Sequence, residues 1–319
     1  MLERPQGAIV SNLTDFYLIS TNWLHLILGV LMDFVPYDDR DGWIWMDGHF
    51  VPWREAKVHI LTHGLHYGSC VFEGERAYNG KIFESRKHTE RLMRSAEILG
   101  MTPRFSVDEI EDAKKEAMAK NGFEDCYVRP LMWRGSEMMG VSAQQNTIRA
   151  AVAVWHWGNY FADKMSGIRL ANAKWRRPDP LTAPHEAKAA GLYMICTDSK
   201  HVAEAQGYND AMMLDYRGHV AEATGANIFF VQDGAIHTPT PDCFLNGITR
   251  QTVMGIAREK GYEVVERTIM PEEIGNFTEC FITGSAAEVT PVKEIAGTMY
   301  QPGRICEDLV TSYEALVRA

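Results

Sequence analysis

One lysine near the middle of the chain lies among residues that favour covalent chemistry. Lys188 belongs to the run 187–193 (AKAAGLY), in which it is the one charged side chain and a tyrosine follows five positions later. Partial desolvation makes a lysine amine easier to deprotonate, and the free amine attacks a carbonyl or holds an aldehyde as a Schiff base. The sequence therefore makes Lys188 a candidate catalytic residue, with an ordinary surface lysine as the alternative.

Two turns built from small residues are candidate anion sites. Residues 247–249 (GIT) open a predicted helix, and residues 284–286 (GSA) follow a predicted strand. Each turn offers backbone N–H groups beside a hydroxyl, and a helix N-terminus adds a dipole that favours negative charge. A phosphate would fit both turns, while a simple capping role is the alternative for each.

Two charged residues interrupt apolar strand segments. Glu222 lies in 220–223 (VAEA), and Arg129 lies in 126–132 (CYVRPLM). A buried charge needs a partner of opposite charge or several hydrogen bonds. A protonated pyridine nitrogen would satisfy Glu222, whereas Arg129 would pair with a structural carboxylate or with an anionic substrate.

Strand and helix signals alternate along the chain and predict a mixed α/β protein. Strands are predicted at 42–46, 49–51, 58–61, 69–72, 72–78, 126–132, 149–155, 210–214, 220–221, 227–231, 235–238, 262–267 and 280–283. Helices are predicted after the N-caps Ser85 and Ser106, from about Gly191 to Gln206, and between Gly247 and Gly261. These elements divide the chain into an N-terminal extension (1–42), a small α/β domain (43–156), a linker (157–166) and a large domain (167–319).

Composition excludes several classes of protein. At 319 residues the chain exceeds the usual size of one core, and two domains are expected. Its net charge of −10 is unfavourable for nucleic-acid binding. The six cysteines are widely spaced, which indicates reduced thiols and a cytoplasmic location. His63 and His66 lack the further ligands of a metal site, so no metal is expected.

The N-terminal region contains an apolar run without Asp, Glu, Lys or Arg from Phe16 to Leu31. The run is short for a membrane span, contains Ser, Thr, Asn and His, and follows an acidic residue. We therefore expect no membrane insertion. Met32 offers a plausible start, and residues 1–31 are expected to be an extension with little functional role.

Motifs in a fixed order resemble those of the branched-chain aminotransferases. These motifs are 187–193 around Lys188, 222–230 (EATGANIFF), 247–250 (GITR) and 283–291 (TGSAAEVTP), together with 71–74 (VFEG), Arg76, 127–130 (YVRP) and 157–158 (WG). The resemblance runs from about Trp43 to the C-terminus. It implies a two-domain α/β fold, of the α+β type, that belongs to the fold type IV pyridoxal-phosphate enzymes and holds the cofactor at the domain interface.

The resemblance also implies cofactor-binding roles. Lys188 would bind the cofactor aldehyde as a Schiff base and move the substrate proton, Glu222 would pair with the pyridine N–H, and Tyr193 would bind the ring oxygen O3′. The remaining implied cofactor ligands, most of them at the phosphate, are Arg91, Gly225, Ile248, Thr249, Gly284 and Ser285. The implied cofactor is pyridoxal 5′-phosphate.

The implied substrates are branched-chain L-amino acids and 2-oxoglutarate, which would react in a ping-pong sequence to give branched 2-oxo acids and L-glutamate. Phe72, Trp157 and Tyr160 would form apolar walls, while Arg129 and Tyr67 would receive the distal carboxylate of glutamate. The other implied substrate-binding residues are Arg76, Tyr127, Val141 and Ala286. Tyr67 and Val141 would come from a neighbouring subunit, so a homodimer is the expected minimum and a hexamer the larger alternative.

Related activities share this fold and cofactor. A D-amino-acid aminotransferase and an aminodeoxychorismate lyase would both keep Lys188 and Glu222, although 127–130 and 71–74 favour the branched-chain enzymes. A cofactor-free interaction protein is disfavoured because every chemical position is filled. Glu75, Trp133 and Arg134 are expected to introduce polar or bulky groups near the pocket, and residues 189–191 are expected to be small to leave room for the cofactor ring.

Overall fold

The structure is a computed structural model that describes residues 35–158 and 164–319. Within these ranges the α-helices are α1 (His63–Tyr67), α2 (Ser85–Ile98), α3 (Val107–Asn121), α4 (Met194–Ala205), α5 (Ile248–Glu259) and α6 (Arg304–Val317). Short 3-10 helices lie at Trp53–Glu55, Lys164–Ser166, Ala190–Tyr193 and Pro271–Asn276. The helices and strands together confirm the predicted mixed α/β class.

The first half of the described chain forms an antiparallel sheet of seven strands. Its strands are β1 (Trp43–Met46), β2 (His49–Pro52), β3 (Cys70–Phe72), β4 (Glu75–Tyr78), β5 (Lys81–Ile82), β6 (Cys126–Arg134) and β7 (Ile148–Trp155). They follow the order β2-β1-β7-β6-β4-β5, with β3 also paired to β6. The apolar sides of α2 and α3 cover one face, where Leu92, Ile110, Val128 and Val152 share a core.

The second half forms a sheet of nine strands. These strands are β8 (Ile168–Asn172), β9 (Asp210–Leu214), β10 (Val220–Ala223), β11 (Asn227–Gln232), β12 (Ala235–Pro239), β13 (Val264–Arg267), β14 (Glu279–Gly284), β15 (Glu288–Ile295) and β16 (Thr298–Met299). The path β10-β9-β8-β15-β14-β11 is closed by an additional pairing between β10 and β11. This closure brings the ends of β10, β11 and β14 together.

Strand β11 shows how the sequence pattern builds two cores. Successive side chains of a strand point to opposite faces. Phe229 accordingly stacks on Phe281 at 4.9 Å, in the core shared with α5 and α6, whereas Phe230 stacks on Phe277 at 4.7 Å in the other core. The apolar run 228–231 within β11 is therefore explained by burial on both sides of the sheet.

Several local predictions are confirmed. The Ser106 hydroxyl accepts the N–H of Glu109, and the Glu109 carboxylate accepts the N–H of Ser106, which is the predicted capping box of α3. Gly122 ends that helix with a φ of +70°, in the left-handed region that favours glycine. Helix α2 differs in detail, because Ser85 is its first helical residue and Glu84 occupies the cap position.

The strand predicted at 58–61 is wrong. These residues form an irregular segment that ends in a turn, and Ile60 is 72% exposed. Strand propensity stabilises a strand only when a neighbouring edge is available, and no strand pairs with this segment in the described chain. The following residues, expected in a loop or at a strand end, form the short helix α1.

The polar residues expected near the pocket lie elsewhere. Glu75 is fully buried, and one of its carboxylate oxygens accepts a hydrogen bond from Lys114 Nζ at 2.8 Å. Burial raises the pKa of Glu75 to about 8, although Lys114 opposes that shift. Trp133 is buried, and Arg134 donates to the carbonyl groups of Leu99 and Gly100. The expectation that these side chains lie near the pocket is therefore wrong.

The expected extension ends earlier than residue 42. Tyr37 accepts a hydrogen bond from Trp53 Nε1 at 2.6 Å through its carbonyl, and its ring packs edge-on against Trp155. Residues 35–42 are thus partly anchored to the first sheet. The predictions for residues 1–31 lie outside the described residues. None of the helices described is long and apolar enough to span a bilayer.

Candidate active site

A cavity of about 370 Å³ brings both halves of the chain together. The first half contributes Phe72, Arg91, Tyr127, Arg129 and Trp157, and the second half contributes Lys188, Tyr193, Glu222, Gly225, Ile248, Thr249, Gly284, Ser285 and Ala286. All of these were predicted as site residues. A larger groove of about 570 Å³ beside Trp175 and Glu272 contains none of them.

The backbone of Lys188 is held by the first half of the chain. Its N–H donates to Ser95 Oγ on α2 at 3.0 Å, and its carbonyl accepts the N–H of Phe72 at 3.1 Å. The next residue, Ala189, forms an antiparallel bridge with Val71 of β3. The Lys188 amine points into the cavity and lies 2.7 Å from the Tyr193 hydroxyl. These contacts hold the amine within hydrogen-bonding distance of one specific acid–base partner.

The small residues after Lys188 do not line the cavity, because residues 189–191 are absent from its lining. The backbone at Gly191 passes close to Gly68 at the end of α1. A Cβ added at Gly68 would lie 3.3 Å from the Gly191 Cα, whereas a Cβ at Gly191 would make an ordinary contact of 3.7 Å with the Gly68 Cα. The close approach therefore constrains Gly68, which also has a φ of +67°.

Glu222 lies on β10 beside a β-bulge between Val220 and Glu222, which re-aims the side chain. One carboxylate oxygen accepts two N–H groups of Arg177, from Nε at 2.6 Å and from Nη2. The other accepts Asn227 Nδ2 at 3.1 Å. Burial raises the pKa of Glu222 above its ordinary value, and the charge of Arg177 opposes that shift. Since a carboxylate accepts about four hydrogen bonds, Glu222 retains capacity for a donor in the cavity.

Arg91 is oriented by a buried carboxylate. Glu73 accepts Arg91 Nε at 2.7 Å on one oxygen and Arg91 Nη2 at 2.8 Å on the other. His88 Nδ1 lies 2.7 Å from the second oxygen. Burial alone would raise the pKa of Glu73, but Arg91 and His88 hold that pKa far below its usual range. This two-point contact leaves Arg91 Nη1 available for an anion.

The two small-residue turns meet Arg91 around the same cavity. Helix α5 begins at Ile248, and the first N–H groups of a helix have no intrahelical partners. No side chain caps this helix, so these N–H groups can bind an anion in the cavity. The turn 285–287 joins β14 to β15, and Gly284 and Ser285 line the cavity from the other side. A guanidinium, a helix N-terminus and a turn with a hydroxyl together form an electropositive end suited to a phosphate.

Arg129 lies in an aromatic enclosure that also lines the cavity. Its guanidinium carbon is 4.8 Å from the centre of the Phe72 ring and 5.2 Å from that of Tyr127. Its Nη2 donates to the Tyr127 hydroxyl at 3.1 Å, while its buried Nε has no hydrogen-bond acceptor among the described residues. Within the described chain no carboxylate lies within 4.0 Å of this guanidinium. The arginine is therefore arranged to receive an anion that is not part of the chain.

Three predicted site residues that the structure describes, Arg76, Tyr67 and Val141, do not line the cavity. Arg76 lies 3.6 Å from the carboxylate of Glu288 and beside Tyr78, so its expected contact with substrate is replaced by a contact between the two halves of the chain. Tyr67 and Val141 are exposed on the first half, and Val141 is 87% exposed. Tyr160 lies outside the described residues.

Several residues around the cavity were not predicted. Arg177 and Asn227 bind Glu222, Glu73 binds Arg91, and the buried hydroxyl of Thr283 has no hydrogen-bond partner among the described residues. The need of Glu222 for a cation was evident, but the 32 lysines and arginines offer no sequence signal that singles out Arg177. Glu73, in contrast, lies within the motif 71–74.

The chain is similar to known proteins in sequence and in fold. The family model described as amino-transferase class IV matches residues 70–295. The branched-chain-amino-acid aminotransferase of Pseudomonas aeruginosa is 41% identical over 288 residues, which cover 88% of this chain and 94% of that protein. The branched-chain aminotransferase from Thermoproteus uzoniensis, crystallised with norvaline, has a TM-score of 0.84 and 37% identity, and the match covers 88% of this chain and 95% of that one.

A second similar structure was determined with a bound phosphopyridoxyl amino acid. The T.th. branched-chain amino acid aminotransferase complexed with N-(5′-phosphopyridoxyl)-L-glutamate has a TM-score of 0.83 and 39% identity, with 88% of this chain and 95% of that chain covered. The fold and the family match define a class IV aminotransferase. Within that class, the chain belongs to the branched-chain-amino-acid aminotransferase family.

The close approach of Gly74 to Tyr127 generates a prediction. A Cβ at Gly74 would lie 2.0 Å from the Tyr127 hydroxyl, which accepts Arg129, so Gly74→Ala must displace the wall of the cavity. We expect the aminotransferase rate to fall about 10- to 100-fold, because small misplacements of binding groups are costly. Steady-state kinetics would measure this loss. Gly255→Ala, where a Cβ meets nothing within 4 Å, is the control, and equal rates in both variants would contradict the prediction.

Proposed function

We propose that this protein transfers amino groups between branched-chain L-amino acids and 2-oxoglutarate, with pyridoxal 5′-phosphate as cofactor. The observation that carries the proposal is the cavity itself, which is lined by a lysine amine, by electropositive groups suited to a phosphate, and by an aromatic enclosure around Arg129, an arginine without a carboxylate partner among the described residues. Relatives at 36% to 42% identity that carry the branched-chain name favour this activity over a D-amino-acid aminotransferase or an aminodeoxychorismate lyase.

The cavity fits the cofactor in charge and in size. Lys188 would hold the aldehyde carbon, Tyr193 the ring oxygen and Glu222 the ring nitrogen, because these side chains converge on one space of about 370 Å³. The phosphate would be held by Arg91, Ile248, Thr249, Gly284 and Ser285, with Gly225 leaving room beside them. Pyridoxal phosphate supplies a ring that accepts the electrons left when an amino acid loses its Cα proton.

The chain supplies the acid–base chemistry. Lys188 Nζ is the group that removes and returns the proton at the substrate Cα, and the Tyr193 hydroxyl at 2.7 Å keeps that amine oriented. Arg177 and Asn227 hold the Glu222 carboxylate in place for the ring nitrogen. Because Glu222 is buried, its carboxylate needs these two partners.

The two substrates differ in the side chain that one pocket must accept. The faces of Phe72 and Trp157 offer an apolar surface for a branched aliphatic group, while the Arg129 guanidinium lies 4.8 Å above the Phe72 ring. A carboxylate of 2-oxoglutarate would bind that guanidinium, since a desolvated cation without a protein carboxylate favours an anion. Tyr160, outside the described residues, is proposed as a further apolar wall.

We propose that the working unit is at least a homodimer. The surface formed by residues 58–67 and 139–141 exposes apolar side chains, including Ile60 at 72% and Leu65 at 62%. His63 joins its two segments, because Nε2 lies 2.8 Å from the Gly140 carbonyl oxygen and the ring stacks on Tyr67 at 4.6 Å. Such exposed apolar patches are typical of association surfaces. Tyr67 and Val141 would reach the partner's cavity, and a hexamer is the larger alternative.

We also propose the division into a small domain (43–156), a linker (157–166) and a large domain (167–319). In support, the first sheet ends at Trp155 and the second begins at Ile168.

All six cysteines are free, which favours a reducing, cytoplasmic location.

A panel of single-substrate reactions tests the activity. The purified holoenzyme should change its absorption spectrum on addition of L-leucine, L-isoleucine, L-valine or L-glutamate, and D-alanine should react slowly or not at all. Lys188→Ala should fold but lose this change, whereas Lys174→Ala, which removes a surface ion pair with Asp198, should retain it. Preferred reaction of D-alanine, or release of pyruvate from aminodeoxychorismate, would contradict the proposal.

Arg129→Met separates the two substrates. The long apolar side chain preserves the pocket but removes the cation, so the rate with L-glutamate should fall about 10- to 100-fold more than the rate with L-leucine, as expected for a lost charge-assisted hydrogen bond. Stopped-flow half-reactions would measure both rates. Arg134→Met is the control, because Arg134 lies on the same strand outside the cavity and its loss should affect the rates with both substrates alike. If Arg129→Met lowered the rates with L-glutamate and L-leucine equally, the carboxylate-binding role of Arg129 would be excluded.

Leu65→Glu tests the proposed association surface. A charge placed on this exposed apolar surface should dissociate the dimer and abolish activity, because Tyr67 and Val141 would no longer complete a partner's cavity. Analytical ultracentrifugation would give the mass and a transamination assay the activity. Leu316→Glu, at an exposed apolar position of α6, is the control. A fully active monomer would refute the proposal.

A further inference from the structure

Glu288 occupies a backbone conformation that normally selects glycine. It follows the turn 285–287 and pairs with Gly284 across the β14–β15 hairpin, with a φ of +54°. A residue in the left-handed region closes many three-residue hairpin turns, and glycine is the usual choice because other L-residues are strained there. A glutamate in this position needs a compensating interaction of its side chain.

That interaction comes from the other half of the chain. The Tyr78 hydroxyl donates to Glu288 Oε1 at 2.8 Å, and Arg76 Nη1 lies 3.6 Å from the same oxygen. Arg76 and Tyr78 are both buried on β4, where the Arg76 guanidinium lies 4.9 Å from the centre of the Tyr78 ring. The carboxylate is thus held by a hydroxyl and a cation from a strand of the first sheet.

Tyr78 is anchored deeply in the second half. Although it belongs to β4, it is 1% exposed and packs in the core formed by β11, β14 and helices α5 and α6. Its ring therefore has little freedom to follow a moving Glu288. The contact fixes the base of the turn 285–287, whose first residues line the electropositive end of the cavity.

We propose that Tyr78 and Arg76 are positioning residues for the cofactor phosphate, which hold Glu288 and thereby keep the turn 285–287 closed against that phosphate. This inference rests on the proposed function, because it requires pyridoxal phosphate in the cavity. It assigns Arg76 a role behind the phosphate-binding turn in place of the substrate contact expected from the sequence. It also explains why a glutamate follows the turn. Glycine at position 288 would relieve the backbone strain but would lose the contacts with Tyr78 and Arg76.

Tyr78→Phe removes the hydroxyl and leaves the ring. In the holoenzyme we expect cofactor release, followed by absorbance after dilution, to accelerate about 10-fold, which is the effect of one lost hydrogen bond of ordinary strength. The phosphorus-31 resonance of the bound cofactor should shift, because the phosphate environment changes. The visible absorption maximum and its pH midpoint should stay unchanged, because Lys188, Tyr193 and Glu222 at the ring are untouched.

Tyr300→Phe is the matched control. Tyr300 is also buried, and its hydroxyl donates to the Ile274 carbonyl at 2.9 Å, away from the cavity. Both variants lose a buried tyrosine hydroxyl, so thermal unfolding should respond in both, whereas cofactor release and the phosphorus resonance should change in Tyr78→Phe alone. Equal release from the two variants, or wild-type release from Tyr78→Phe, would overturn the inference.

Glu288→Gly provides an independent test, since it removes the carboxylate while relieving the backbone. Release should accelerate in Glu288→Gly as well, and adding Tyr78→Phe should cause no further change, because both variants break the same contact. Additive effects would overturn the inference. A wild-type protein that never shows a cofactor absorption band would instead refute the proposed function, which keeps the two failures distinguishable.

Discussion

The structure depends on one crossing of the chain, where the segment at Lys188 is hydrogen-bonded to β3 of the first sheet. The Lys188 carbonyl accepts the N–H of Phe72, and Ala189 bridges Val71. These backbone contacts place a nucleophile of the second half beside an aromatic wall of the first. The cavity exists because the two sheets meet here, and its chemistry comes from residues that neither half could assemble alone.

Buried charged side chains are paired differently at the cavity and away from it. Buried charges away from the cavity are paired within the chain, as Glu75 is with Lys114. At the cavity, pairing is incomplete: Arg91 keeps one free edge after binding Glu73, and Arg129 has no carboxylate partner among the described residues. Because an unpaired buried charge is costly, each of these two groups favours an anionic ligand. One cavity can therefore hold a phosphate and a distal carboxylate at once.

Local signals in the sequence predict most elements but not their partners. Caps, hairpin turns and alternating patterns depend on nearby residues, and the N-cap at Ser106 and the strands on both sides of the turn at 47–48 form as predicted. The strand at 58–61 failed because a strand also needs an edge elsewhere in the fold. Helix α6 was not predicted, although apolar Ile305, Leu309 and Tyr313 recur at helical spacing.

The sequence by itself determined the chemical groups of the site: the lysine among small residues, the acid in an apolar strand, the two anion-binding turns and the order of motifs that indicates the family. Only the tertiary structure decided how these groups are held. Arg177 on Glu222, Glu73 on Arg91 and Tyr78 on Glu288 join residues far apart in the chain. Such pairs leave no local pattern, because their geometry arises only when the strands are packed side by side.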